Sequence, residues 1–392
     1  MVETADVVIV GGAAVGLSVA HFMKRHEGFS GRVVVVERDF GYARAATTLS
    51  AASIRQQFST PENIRLSQFG VGFFKTLTER FGAGADIGFV ERGYLVLASP
   101  EGRDILLENH AVQRAEGADI SFIDGAGALV RRFPFLNGEG LAAGAYGESG
   151  EGWFDAHMLV DLLRRDARAA GVDLVAGEVT AIDRDGGRVT GVRLTDGRSI
   201  ACGVVVNAAG PQAGDVAALA GLVLPVEPRK RTVFVLHCRT PVEGLPMLID
   251  VSGAYVRPEG EYYIAGISPP EETDGRAAPD DFEPDYDLFD EVVWPALATR
   301  VPVFEAVKMV RAWAGHYDYN TLDQNAVLGP HPEVGNFLFA NGFSGHGLQQ
   351  APAAGRAVAE MIVRGRSVSL DLGAFSYERI AAGRPLTERN VI

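Results

Sequence analysis

The chain has 392 residues, 47% of them hydrophobic, a formal net charge of −14, and two cysteines, Cys202 and Cys238. That length and apolar content support a large core shared by two packed domains, and the acidic excess disfavours nucleic acid and anionic membrane surfaces as partners. Two distant cysteines imply no disulfide framework, and no apolar run approaches the roughly 18 residues of a membrane span, so a reduced, cytoplasmic setting is expected.

In chain order, the first element is an apolar strand, Asp6-Val7-Val8-Ile9-Val10, entering the turn Gly11-Gly12-Ala13-Ala14-Val15-Gly16. A helix is expected over 17–25, then a second apolar strand, Val33-Val34-Val35-Val36, ending in Glu37. This is the order of parts in a dinucleotide-binding βαβ unit. The glycines permit a tight turn and close approach to a pyrophosphate, the helix N-terminus offers N–H groups to the phosphate charge, and Glu37 would accept hydrogen bonds from a ribose. One departure is visible: Ala13 stands where the second glycine of G-x-G-x-x-G belongs. The unit begins a few residues from Met1, so no targeting peptide is expected.

A second nucleotide-binding segment runs over 155–211. A helix is predicted at 158–170, with strands at 172–175, 178–182, 188–194 and 199–206. Asp185-Gly186-Gly187 and Asp196-Gly197 supply the hairpin turns. The last strand runs into the small residues Asn207-Ala208-Ala209-Gly210-Pro211. A third segment is Phe337-Leu338-Phe339-Ala340-Asn341 followed by Gly342-Phe343-Ser344-Gly345-His346-Gly347 and a small-residue helix over 351–364. Between these lie alternating strands such as Tyr94-Leu95-Val96-Leu97, Thr232-Val233-Phe234-Val235-Leu236 and Tyr262-Tyr263-Ile264-Ala265-Gly266. The expected fold is α/β (α+β): a Rossmann-like dinucleotide-binding domain over 1–72, 149–222 and 314–392, with an inserted mixed-sheet substrate domain over 73–148 and 223–313. The acidic stretch 269–287 reads as a surface excursion. The eight histidines show no metal-ligand spacing, so no metal site is expected.

Assembled in this way, the chain resembles the flavin-dependent amine oxidoreductases of the D-amino-acid oxidase superfamily, of the sarcosine, dimethylglycine, glycine and iminodiacetate oxidase or dehydrogenase types. The resemblance rests on the opening turn with Glu37, the Asn207 to Pro211 strand end, Trp313-Ala314-Gly315 with Thr321 to Gly329, and the Gly342 to Gly347 loop. It implies FAD as cofactor. The implied contacts are Gly11, Gly12, Ala13, Ala14, Val15 and Gly16 at the pyrophosphate; Glu37 and Arg38 beyond it; Thr47, Thr48 and Ser50; Val179 beside the adenine; and Ala208, Ala209 and Gly210. Gly315, Gly342, Phe343, Ser344, Gly345, His346, Gly347, Leu348 and Gln349 are implied around the flavin ring. Relatives that attach FAD covalently use a Cys in the stretch that here reads Gly315-His316-Tyr317, or a His in the region that here reads Thr47-Thr48-Leu49-Ser50-Ala51. Neither is present, so non-covalent FAD is expected, with His316 the residual alternative.

The resemblance further implies hydride transfer from a carbon beside an amine nitrogen, with an imine that hydrolyses to amine and aldehyde. The protein then orients the substrate and tunes charge. A substrate carboxylate needs a cation, and Arg55 stands where sarcosine-oxidase-like proteins place one. Tyr255 and Arg257, two apart on a predicted strand, share a face and can reach the same site. Gln349 replaces a lysine of the sarcosine oxidases, and Ile264 and Ser268 stand where those enzymes carry a lysine and a histidine. Lys230, Arg231 or His346 are the candidate substitute cations, and His316 and Tyr317 candidate pocket walls. The expected reaction partners are a small amino-acid-like substrate and either oxygen or an electron-transfer partner. The alternatives are a flavin-dependent 2-hydroxy-acid dehydrogenase and a non-catalytic flavoprotein assembly factor.

Overall fold

The computed structural model describes residues 3–270 and 272–389. Two eight-stranded sheets organise them. In the first, Glu3–Val10 lies between Val33–Glu37 and Ser199–Asn207 and is parallel to both. The valine runs that read as strands are buried through: Val8, Ile9, Val33, Val34 and Val35 have no exposed surface, as expected for a parallel sheet covered on both faces. Asp173–Ala176 and Phe337–Asn341 extend the sheet in parallel on either side. Val179–Asp185 and Arg188–Leu194 form an antiparallel flap joined to Ser199–Asn207.

The first helix spans Ala14–His21, starting directly from the glycine turn rather than at residue 17, and passes into a π turn, Phe22–His26. Its partner is the long helix Gly347–Arg364. A Cβ added at Gly355 would come within 2.5 Å of the Ser18 Cβ and 2.8 Å of the Val19 nitrogen, so the two backbones touch there. This contact explains the run of small residues Ala351, Ala353, Ala354 and Ala357, all fully buried. It also brings the 342–347 loop to the same cavity as the 11–16 turn.

The second sheet follows the order Lys308–Asn320, Val226–His237, Tyr262–Gly266, Tyr255–Glu259, Met247–Ile249, Tyr94–Ala98, Ala143–Gly147 and Ile120–Asp124. Its core includes Phe234, Leu248, Val256 and Phe304. Lys308–Asn320 pairs with Val226–His237 from Val226 opposite Asn320 to His237 opposite Lys308. A two-stranded ribbon, Ser53–Ile54 with Gly152–Trp153, precedes Arg55.

The acidic stretch 269–287 is clasped to the body. Arg231 binds Asp274 at 2.6 and 2.7 Å, Lys230 binds Asp281 at 2.7 Å, and Arg276 binds Asp215 at 2.8 Å. The Phe282 ring stacks on His316 with centroids 4.2 Å apart. Among the described residues no helix is long and apolar enough to cross a membrane, and no group of three or more side chains could hold a metal ion.

Candidate active site

Two adjoining cavities lie where the sheets meet. The larger, about 630 Å³, begins at the carboxyl ends of the central parallel strands, the usual ligand position in such sheets. Gly11, Ala13, Ala14, Val15, Glu37, Arg38, Thr47, Ser50 and Val179 line it, as do Ala208, Ala209 and Gly210. Gly11 has φ +102°, and a Cβ there would lie 2.2 Å from the Ala208 carbonyl oxygen. Gly12 and Gly16 act beneath the surface. The Gly12 N–H donates to Glu37 Oε2 at 2.8 Å, and a Cβ at Gly16 would fall 1.9 Å from the Gly11 oxygen. Ala13 is the N-cap and offers no side-chain cap; the Ala14 N–H donates to Thr47 Oγ1 at 3.3 Å. Ala13 lines the cavity without closing it. Thr48 is turned away, its hydroxyl donating to the Tyr42 carbonyl.

The far end of this cavity is formed by Tyr317, Asp318, Phe343, Gly345, Gly347 and Leu348. Gly345 has φ +100° and packs so closely on the Tyr317 ring that a Cβ would sit 2.8 Å from it. Asp318 accepts the Phe343 N–H at 3.0 Å, and burial pushes its carboxyl up to about 6. Ser344 is buried, its hydroxyl accepting the Asn320 N–H at 3.0 Å, while Gly342, with φ +76°, backs onto Val226. These residues fit FAD. A backbone-lined turn at a helix N-terminus suits a pyrophosphate at one end, and the N-terminus of Gly347–Arg364, capped by no side chain, would favour negative charge at the other.

The smaller cavity, about 90 Å³, shares Ala46, Ser50, Tyr317, Gly345 and Leu348 with the larger. Its other walls include Arg55, Tyr94, Arg231, Val233, Met247, Tyr255, Gly315, His316, His346 and Gln349. Arg55 is buried, its guanidinium 4.1 Å from the centre of the Phe58 ring; Nη1 donates to the Gln57 carbonyl, and Nη2 lies 3.1 Å from His346 Nε2. Gln349, which lines this cavity, accepts the Arg55 N–H on its Oε1 at 2.8 Å. Burial raises all three tyrosines, Tyr94 to about 12, so they act as neutral hydrogen-bond donors. Arg257 does not join them. Its Nε and Nη2 donate to the Ala51 carbonyl at 3.0 and 2.7 Å, and Nη1 pairs with Glu259, so it braces the Ala51 loop. Lys230 is likewise engaged by Asp281.

His346 is neutral. Burial and the Arg55 charge hold its imidazole well below the usual histidine value, with Nε2 accepting from Arg55 and a hydrogen bond to the Phe343 backbone. The unfolded chain takes up this proton below pH ~6.5 and the folded chain does not, so the associated stability is full above that pH and is lost as pH falls. His346→Gln keeps an acceptor for Arg55 and removes the titration. Urea unfolding at saturating FAD should therefore show the variant losing less stability than the wild type between pH 7 and pH 5; parallel curves would refute the neutral imidazole.

Sequence reading missed Tyr42, Tyr94, Glu151 and Asp274. Tyr42 lines the larger cavity and donates to the Gly12 carbonyl at 2.9 Å. Glu151 is fully buried beneath Arg55, and Asp274 lies within the stretch read as a surface excursion, where it pairs with Arg231. One signal was available for Asp274: three consecutive cations, Arg229-Lys230-Arg231, on one strand demand acidic partners.

Comparison with known proteins agrees with this geometry. Residues 6–361 match the family model "DAO: FAD dependent oxidoreductase". FAD-dependent oxidoreductase domain-containing protein 1 of Xenopus laevis is 47% identical, over 100% of this chain and 85% of its own. Sarcosine oxidase subunit beta of Rhizobium meliloti is 27% identical over 98% and 90%. The crystal structure of L-proline dehydrogenase from P. horikoshii superposes with a TM-score of 0.86 at 26% identity, covering 98% of this chain and 100% of that one.

Proposed function

Because this chain belongs to the DAO family of FAD-dependent oxidoreductases, we propose that it oxidises the C–N bond of a small carboxylated amine, of the secondary or N-substituted glycine type. The observation that supports this is the smaller cavity. It opens onto the flavin end of the larger one, and its size, its apolar walls Leu49, Val233 and Met247, its three phenols and the buried Arg55 suit a small anion with an uncharged nitrogen. Low polarity favours the neutral amine, the form that releases hydride. Sarcosine and proline, named in two of the relatives, are both secondary amines with a carboxylate on the adjacent carbon. When bound, FAD takes up the hydride equivalent. In this reading Arg55 supplies positive charge, Tyr255 and the Gln349 amide donate hydrogen bonds, and the neutral His346 fixes Arg55. The imine product takes up water and divides into amine and aldehyde.

The FAD is proposed to be non-covalent: Cys202 and Cys238 line neither cavity, and His346 is engaged at Arg55. Both cysteines are free and buried, consistent with the proposed cytoplasmic setting. A second reading, oxidation of a 2-hydroxy acid, draws on His316. Its Nε2 donates to the Asp281 carbonyl at 2.7 Å, so Nδ1 carries a lone pair that has no partner among the described residues. Anaerobic titration of the holoprotein with sarcosine, proline, dimethylglycine, iminodiacetate and lactate tests both. We expect an amine to bleach the flavin band and lactate to leave it. Bleaching by lactate alone would replace the amine reading with the second. Readmission of air then separates oxygen from a protein partner as electron acceptor.

A further inference from the structure

Arg231 is the second cation of the smaller cavity, and it is presented differently from Arg55. It lies on Val226–His237, opposite Gly315, and its guanidinium sits 4.9 Å from the centre of the Tyr317 ring. Only a tenth of its side chain is exposed. The far edge of the guanidinium grips Asp274, with Nη1 to Oδ1 at 2.6 Å and Nη2 to Oδ2 at 2.7 Å, and Nη1 also donates to the Lys230 carbonyl at 2.9 Å. Its Nε–H is buried and meets no acceptor among the described residues. A buried charged donor without an acceptor is costly, and this one belongs to a residue that lines a cavity sized for a small anion.

We propose that Arg231 is a specificity-determining residue whose Nε edge receives one oxygen of the substrate carboxylate, and that Asp274, on the clasped 269–287 stretch, positions the guanidinium and sets how much charge it offers. The guanidinium has two usable edges. Asp274 takes one and leaves the other for the ligand. Substrate preference then extends to amines whose carboxylate reaches past Arg55 toward Tyr317. This assignment rests on the smaller cavity being the substrate site.

The test is acetate binding to the oxidised holoprotein, followed by perturbation of the bound-flavin spectrum, with acetamide as the uncharged control. Arg231→Gln should weaken acetate about tenfold or more, the scale of one lost charge-assisted hydrogen bond, and leave acetamide unchanged. Arg231→Lys, which keeps the charge but not the fork, should also weaken it. Asp274→Asn retains one hydrogen bond to Arg231 but removes the neutralising charge, so acetate should tighten by about threefold or more. A residue that only clasps the stretch would make Arg231→Gln and Asp274→Asn behave alike. Equal weakening in both, or no effect of either arginine variant, therefore overturns the proposal. If the opposite signs appear while no amine reduces the flavin, the oxidative reading fails and the anion site stands.

Discussion

Replacing Gly11 by alanine should abolish retention of FAD. The new methyl would lie 2.2 Å from the Ala208 carbonyl oxygen, 2.6 Å from its carbon and 3.0 Å from the Ala209 nitrogen, all main-chain atoms that no rotamer change can move. The φ of +102° adds strain for any L side chain. Relief requires separating the end of Glu3–Val10 from the end of Ser199–Asn207, whose small residues Ala208, Ala209 and Gly210 line the same cavity. We expect the purified variant to carry less than about a tenth of the wild-type flavin, from a loss of a few kcal/mol in binding. Gly186→Ala is the control. That position also has positive φ, +55°, but a Cβ there meets nothing within 4 Å. It should cost about 1 kcal/mol of stability and leave the flavin content intact. Normal flavin content in Gly11→Ala, measured by absorbance after gel filtration, would show that the close approach does not govern the site.

The parts that could be read from sequence are those whose chemistry is local. Gly11, Gly16 and the valine strands around them declare themselves because a tight turn from a buried strand into a helix demands those residues within a few positions of one another. The Gly342 to Gly347 loop is legible for the same reason. Tyr255 and Arg257 mark the limit. Alternation along a strand assigns a face, but a three-carbon arginine stem with its guanidinium can double back, and Arg257 does so to reach the Ala51 carbonyl while Tyr255 stays at the cavity. The 269–287 stretch lies at the surface as read, but its ion pairs have no local signal. Acidic composition reads as solvated unless the cations that will meet it are known, and Lys230 and Arg231 come from a strand some 40 to 50 positions away. Glu151, in Ser149-Gly150-Glu151-Gly152-Trp153, has no local signal, because every group that binds it arrives from residues 56, 57 and 94.

That carboxylate supports the second large effect. Glu151 is fully buried. One oxygen accepts the Gln56 and Gln57 N–H groups at 2.6 and 3.1 Å; the other accepts Gln57 Nε2 at 2.9 Å and the Tyr94 N–H at 3.2 Å. It thus fastens the segment after Arg55 to the strand that carries Tyr94, two walls of the smaller cavity. Glu151→Ala would strand four buried donors at about 1–3 kcal/mol each, comparable to the stability of a whole domain, and should yield little folded protein. Glu151→Gln is the measurable variant. Whichever way its amide turns, an NH₂ group faces two donors, so we expect a loss of about 2–4 kcal/mol, together with a rise in KM for the amine as Arg55 loses its footing. The pH dependence separates the carboxylate from mere bulk. Burial pushes Glu151 from an ordinary 4.5 up to about 7, with the Gln57 side chain, the Gln56 and Tyr94 N–H groups and the Arg55 charge opposing that rise. The folded chain therefore holds this proton to higher pH than the unfolded chain. The stability it contributes is full below pH 4.5 and declines as pH rises through 7, by about 3 kcal/mol in all. The slope is opposite in sign to that of His346, and each is isolated by its own variant. Urea unfolding at pH 5 and pH 8 should show the wild type losing stability across the interval by about that amount more than Glu151→Gln. Equal losses in the two proteins would mean that Glu151 does not titrate there, and an unchanged KM would mean that it does not hold Arg55.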